Sequence, residues 1–66
     1  MKITLNGDPF EVKGPLTLTQ LLVTLEIDAR RVAVEHNLFI VKRRAYESTV
    51  VGDGDNVEVV NAVGGG

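Results

Sequence analysis

The chain ends in Gly64, Gly65 and Gly66, and these residues offer its most distinctive chemistry. The carboxyl group at a chain end has a reference pKa of about 3.5, so it is an anion at neutral pH. Such an anion can attack the α-phosphate of ATP to give an acyl-adenylate, which a nucleophile then opens. Glycine also lacks a side chain, so this end can enter a channel too narrow for other residues. A frayed terminus or a cloning remnant is the alternative interpretation.

Other candidate catalytic side chains are few. His36 is the single histidine and has no adjacent nucleophile, so we expect a solvated side chain and not a catalytic base. Asp53 and Asp55 flank Gly54, but this stretch lacks the further oxygen ligands and the distal glutamate of a calcium-binding loop. We expect a turn there and no metal site. The chain has no cysteine, which excludes disulfides, thiolate zinc ligands and a thiol nucleophile.

Two surface features are candidates for partner contacts. The basic run Lys-Arg-Arg at 42–44 stands in a chain of net charge −2. A solvated loop is the favoured interpretation, and docking to an acidic partner surface is the alternative. Val60 is out of phase with the neighbouring valines, so we expect it to face outward near Thr4 and Ala33. A partner site and an ordinary exposed valine explain this equally well.

Size and composition exclude several classes of function. One domain of 66 residues is too small to enclose a drug-sized pocket and keep a core around it, so we expect no independent enzyme. Nine acidic residues against seven basic ones argue against nucleic-acid binding. No apolar run is long enough to cross a bilayer, so we expect no membrane association. The lack of cysteine suits a reducing cytoplasm.

Hydrophobic periodicity predicts the elements that must position the glycine end. Alternating apolar and polar residues predict extended segments at 2–6, 10–13, 32–36 and 56–61, and the short apolar stretch 39–41 is predicted to be extended as well. Asn6-Gly7 is a strong signal for a tight hairpin turn between the first two segments. The polar stretch 42–47 is predicted to be a loop or a single helical turn, and Tyr46 within it is predicted to join the core.

One short helix is predicted between the second and third strands. Thr17 and Gln20 match a capping box at its start. Apolar residues then recur at helical spacing over about two turns: Leu18, Leu21, Leu22 and Leu25. Packing this helix on one sheet face, with the first and last strands paired in parallel, gives an α+β fold. It is the β-grasp, or ubiquitin-like, roll, with a mixed sheet of four to five strands. We place this domain at residues 1–61 and a flexible glycine tail at residues 62–66.

Over its whole length the chain resembles the small sulfur-carrier proteins of bacterial thiamine biosynthesis. The order and spacing of several short stretches carry this resemblance. One departure is Lys42, where many members have proline. The matching stretches are Ile-Thr-Leu-Asn-Gly at 3–7, Val-Ala-Val-Glu-His-Asn at 32–37, Ile-Val at 40–41, Tyr46, Gly-Asp-Gly-Asp at 52–55, Val-Glu-Val-Val at 57–60 and Val-Gly-Gly-Gly at 63–66.

The resemblance implies a set of partners and a reacting residue. An E1-like, ThiF-type adenylating enzyme would use ATP and magnesium to convert the Gly66 carboxylate into an acyl-adenylate. Sulfur from a persulfide donor fed by a cysteine desulfurase would give a thiocarboxylate, and a ThiG-type thiazole synthase would accept that sulfur. The protein itself would bind no cofactor and catalyse nothing. Val60, Val63, Gly64 and Gly65 would contact the partners.

Three alternative functions stay open at this point. The same chemistry serves the small subunit of molybdopterin synthase, although those relatives tend to be longer and to end in two glycines. A protein modifier would be conjugated to lysines through Gly66. A β-grasp interaction module would have an idle tail.

Overall fold

The structure is a computed structural model that describes residues 1–62. Two 3-10 turns, Ala29–Arg31 and Arg43–Ala45, lie between the longer elements of the described chain. The strands and the helix, in chain order, are β1 (Lys2–Leu5), β2 (Asp8–Glu11), β3 (Leu16–Thr17), α1 (Leu18–Thr24), β4 (Val32–His36), β5 (Phe39–Val41), β6 (Val50–Val51) and β7 (Asn56–Asn61).

Five of the strands form one mixed sheet in the order β2-β1-β7-β4-β5. The central strand β7 runs parallel to β1, with Leu5 opposite Val57, and antiparallel to β4. The predicted α+β fold, with its parallel first and last strands at the sheet centre, is confirmed. The strands β3 and β6 pair with each other in a separate antiparallel ribbon, which the sequence did not predict.

The helix α1 begins as the sequence predicts. The Gln20 amide donates to Thr17 Oγ1 at 3.1 Å, and the Thr17 amide donates to Gln20 Oε1 at 2.9 Å, so the capping box is complete. The helix ends at Thr24, with Leu25 as its C-terminal cap. Seven residues make a helix too short to be stable alone. Its stability therefore comes from the face that it packs against the sheet.

The hydrophobic core lies between α1 and the inner face of the sheet. The helix and its C-terminal cap contribute the leucine stripe, which is Leu18, Leu21, Leu22 and the only partly buried Leu25. The strands contribute their inward-facing residues. Tyr46 is 4% exposed, which confirms its prediction as a core residue. The buried apolar residues are Ile3, Leu18, Leu21, Leu22, Val32, Val34, Tyr46, Val51, Val57 and Val59.

Candidate functional site

The chain leaves the sheet at the end of its central strand. Asn61, the last residue of β7, lies opposite Val32 at the start of β4. One residue further, the Ala62 amide donates to the carbonyl oxygen of Arg31 at 2.9 Å. The path of the chain is thereby fixed to within four residues of Gly66. Residues 63–66 lie outside the described residues, and most of the predicted site falls on them, so the roles of Val63, Gly64, Gly65 and Gly66 stay predictions. The division of the chain after residue 61 also stays a prediction.

A side chain extends the pairing of β7 beyond the end of β1. The Val59 amide donates to Asn6 Oδ1 at 2.7 Å, and Asn6 Nδ2 donates to the Val59 carbonyl oxygen at 3.2 Å. The Asn6 backbone has turned into the left-handed region, with φ 50°, so its side chain takes the place of a strand neighbour. The sequence identified Asn6 only as a turn residue. Its second role holds β7 in place two residues before that strand ends.

The outer face of the sheet, away from α1, carries an exposed apolar row. Val60 is 57% exposed and lies opposite Ala33, which is also exposed, as predicted. Ile40 on β5 is 78% exposed. The predicted proximity of Thr4 to Val60 is wrong, because β1 pairs only with the beginning of β7 and Thr4 lies opposite Asn56. The partner contact assigned to Val60 stays a prediction.

Two carboxylates border this apolar row. Glu35 and Glu58 lie directly opposite each other on β4 and β7, and Glu35 also lies opposite Ile40 on β5. Like charges at directly opposed positions destabilise a sheet. Exposed apolar side chains beside such a pair form a surface that is not optimised for the stability of the free protein. This arrangement suits contact with another protein.

The prediction that His36 is a solvated side chain is wrong. Its Nε2 lies 2.7 Å from Asp55 Oδ2, and its side chain is only 19% exposed. The same carboxylate oxygen accepts the Gly52 amide at 2.8 Å, within the turn that the sequence predicted. The Gly52 amide and, to a lesser extent, His36 lower the pKa of Asp55. This contact joins the end of β4 to the turn before β7 and has no adjacent nucleophile, so its role is structural.

The basic run at 42–44 is exposed and includes the start of the second 3-10 turn, so the predicted single helical turn is confirmed. Arg43 Nη2 donates to the carbonyl oxygen of Arg30 at 3.3 Å. This contact brings the run next to the first 3-10 turn, whose Arg31 binds Ala62. Sequence reasoning missed this proximity because the two turns are separated by β4 and β5.

No helix among residues 1–62 is long and apolar enough to cross a membrane.

These features define a class of protein. A capped helix lies across a mixed sheet whose central strand, β7, is the last strand of the described chain, and this is the β-grasp arrangement. Residues 3–66 match the ThiS family, and the chain belongs to this family of thiamine-biosynthesis sulfur carriers.

Individual relatives agree in fold and sequence. The crystal structure of a thiamine biosynthesis protein, ThiS, from Geobacter metallireducens superposes with a TM-score of 0.89 at 42% identity, and the match covers all of both chains. A thiazole synthase from Paramagnetospirillum magneticum is 42% identical over all 66 residues, which span only 20% of that enzyme. An uncharacterized protein, ycf40, from Porphyra purpurea is 39% identical, and the match covers 93% of its length.

Proposed function

We propose that the protein carries sulfur as a thiocarboxylate on Gly66 and delivers it for formation of the thiazole ring of thiamine. A carboxylate oxygen of Gly66 attacks the α-phosphate of magnesium-bound ATP in an E1-like adenylating enzyme, and pyrophosphate leaves. A persulfide, charged by a cysteine desulfurase, then displaces AMP from the acyl carbon. A thiol cleaves the resulting sulfur–sulfur bond, which leaves the thiocarboxylate on the carrier and a disulfide on the donor side.

The single observation that supports this proposal most strongly is the family match, which extends to residue 66 and so includes the glycine end. The fold is consistent with it. The central strand β7 is held on both sides by its neighbours, and Ala62 is still hydrogen-bonded to Arg31. A rigid body with a fixed exit point lets a partner bind the folded surface and the chain end together.

A thiazole synthase is the sulfur acceptor in this proposal. The similarity to thiazole synthases from Paramagnetospirillum magneticum and Magnetococcus marinus, each covering 20% of the enzyme, supports the link. A carrier segment within the same chain as a synthase would raise the effective concentration of one for the other. In this role the protein is a co-substrate acting in the cytoplasm, and ATP and magnesium belong to the activating enzyme.

Intact-mass spectrometry tests the proposal. The protein is incubated with ATP, magnesium, the adenylating enzyme of the same organism and a persulfide donor. Exchange of one oxygen for sulfur adds about 16 Da, and the nucleophilic acyl chemistry requires this change at the terminal carbonyl. A variant lacking Gly66 controls for sulfur attached elsewhere. An unchanged mass with an enzyme that adenylates another carrier, or an equal gain in the truncated variant, would refute the proposal.

The narrow-channel argument has its own test at Gly65. Gly65→Ala adds one methyl group next to the reacting residue, and we expect the rate of adenylation to fall at least about tenfold, because sub-ångström placement controls such reactions. Gly14→Ala is the matched control, since a Cβ at Gly14 meets no atom within 4 Å. Equal rates for the two variants would mean that the channel tolerates a side chain.

A further inference from the structure

Five of the seven lysines and arginines of the chain lie on the two 3-10 turns and their flanking residues. We call them the tail-root basic cluster. Its members are Arg30, Arg31, Lys42, Arg43 and Arg44, and all five are exposed. The cluster stands on a protein of net charge −2, so positive charge is concentrated in one region of an otherwise acidic molecule.

Two hydrogen bonds place the cluster beside the chain exit. Arg43 Nη2 binds the carbonyl oxygen of Arg30 at 3.3 Å and holds the two turns together. The carbonyl oxygen of the next residue, Arg31, accepts the Ala62 amide at 2.9 Å. The chain therefore passes the cluster immediately before its last four residues. A partner that binds those residues contacts the chain within four residues of Ala62, a span of roughly 14 Å at most for an extended chain.

Asp28 partly neutralises one half of the cluster. Its carboxylate forms two short contacts with Arg30, at 3.1 and 2.9 Å, and a longer one of 3.9 Å with Arg31. Arg30 lowers the pKa of Asp28 to about 2, so this carboxylate stays ionised at physiological pH. By contrast, residues 42–44 form no ion pair within the described chain. Their three charges remain available to a partner.

The exposure of the cluster indicates what kind of ligand it fits. The Arg30 and Arg31 side chains are 80% and 84% exposed, so this part of the cluster is open to solvent and does not enclose an anion. Exposed charges act over roughly 8 to 10 Å at moderate salt, which suits an extended surface of opposite charge. Such surfaces accelerate and orient association more than they add affinity.

We propose that the tail-root basic cluster docks on acidic residues around the channel of the activating enzyme that receives the glycine end. This inference rests on the proposed function. Electrostatic attraction between the cluster and the enzyme would orient the protein so that the end of β7 faces the enzyme as the two associate. The apolar row on the outer face can then make close contact.

Charge reversal at two exposed positions tests the proposal. Lys42→Glu combined with Arg44→Glu changes the charge by four units and removes no hydrogen bond assigned to either side chain within residues 1–62. The matched control is Lys2→Glu combined with Lys13→Glu, with the same change in net charge. Lys2 lies at the start of β1, where its carbonyl oxygen accepts the Gly54 amide, so it is at the opposite end of β7 from Ala62. Thermal melts verify that both variants fold.

The measurement is ATP–pyrophosphate exchange by the adenylating enzyme, with KM for the carrier determined at several salt concentrations. We expect the cluster variant to raise KM about tenfold and the control to change it less than about twofold, with kcat little altered in both. The KM of the wild-type protein should rise with salt, and that of the cluster variant should depend on salt much less.

Equal KM values for the two variants would overturn the docking proposal and leave the carrier function intact. Failure of the wild-type protein to support exchange, with an enzyme that is active on another carrier, would instead refute the proposed function. Retardation of duplex DNA or single-stranded RNA by the wild-type protein, combined with an unchanged KM in the cluster variant, would assign the cluster to nucleic acid and also overturn the proposal.

Discussion

His36 Nε2 and Asp55 Oδ2 lie 2.7 Å apart and join the end of β4 to the turn that precedes β7. Because the Gly52 amide donates to the same oxygen, one carboxylate organises both the turn and the neighbouring strand end. The contact fixes the start of the strand that leads to the chain exit. No nucleophile lies next to the pair in the sequence, so we assign it a structural role.

Asp55→Asn should destabilise the protein in a pH-dependent manner. The pKa of Asp55 is lowered in the folded state, chiefly by the Gly52 amide and then by His36, so its carboxylate stabilises the fold above the ordinary value of 3.8. That contribution is lost as the pH falls through the folded-state pKa. We expect a loss of about 1 kcal/mol at pH 7, appropriate for charged hydrogen bonds at a partly exposed site.

Urea melts of the Asp55 variant at several pH values between neutrality and pH 3 measure this effect. The difference in unfolding free energy between the wild-type protein and the variant should narrow below pH 3.8, because the Asp55 carboxyl group of the unfolded wild-type protein then binds a proton more readily than that of the folded protein. Glu47→Gln controls for the loss of one negative charge, because Glu47 is exposed and its side chain forms no ion pair within residues 1–62. A difference in unfolding free energy that stays constant over the whole pH range would contradict a stabilising role for the ionised Asp55 carboxylate.

The leucine stripe of α1 should carry a large part of the stability. Leu21 is 0% exposed, and Leu21→Ala should cost about 2 to 5 kcal/mol through lost burial and an unfilled cavity. Val23, on the opposite side of the same helix, is 71% exposed, so Val23→Ala should change the free energy of unfolding by less than about 0.5 kcal/mol. Urea melts compare the two, and similar costs would mean that the buried face of the helix is assigned wrongly.

Local patterns predicted the parts of this fold that depend on neighbours in sequence. The capping box of Thr17 and Gln20, the leucine stripe and the alternation in β4 and β7 each act within a few residues, so each is readable from the sequence. The ribbon of Leu16–Thr17 with Val50–Val51 was missed because two residues are too few to show a period.

The candidate site was predicted less completely, for a different reason. His36 and Asp55 are 19 residues apart, and Arg30 and Arg43 are 13 apart. Their contacts depend on the register of the sheet and on the placement of turns, which no local pattern specifies. Val60 was assigned correctly to the outer face because alternation fixes direction. The prediction that Val60 lies near Thr4 was wrong, because alternation does not determine how far two strands pair along their length.

Leu38→Gly should stabilise the hairpin between β4 and β5. Asn37 and Leu38 form its two-residue turn with φ values of 51° and 75°, and a left-handed conformation is strained for leucine. Leu38 is 77% exposed, so little burial is lost on its removal. The substitution relieves backbone strain in the folded state, but glycine also gives the unfolded chain more conformational freedom. The net effect should be an increase of about 0.5 to 1 kcal/mol in the free energy of unfolding.

Thermal melts should show the melting temperature of the Leu38→Gly variant raised by a few degrees, roughly 2 to 8 °C for a domain of this size. Leu38→Ala is the control, since it shortens the side chain but keeps the strained backbone. Equal melting temperatures for the two variants would show that the turn stores no strain at Leu38.

Lys42→Pro should separate the stability of the protein from its docking. Lys42 has φ −70° and ψ 144°, close to the angles that proline imposes, and it follows Val41 at the end of β5. Its amide donates no hydrogen bond outside the strand ladders within residues 1–62. Proline should therefore add about 0.4 to 1 kcal/mol to the free energy of unfolding by restricting the unfolded chain.

The same substitution removes one charge from the tail-root basic cluster, so KM for the activating enzyme should rise about twofold, as for a single exposed charge. Lys42→Ala removes the charge without the ring. The two variants should thus share the rise in KM, while only the proline variant gains stability. If the proline variant proved less stable than the alanine variant, the Lys42 amide or its backbone angles would have a structural role that the hydrogen bonds do not show.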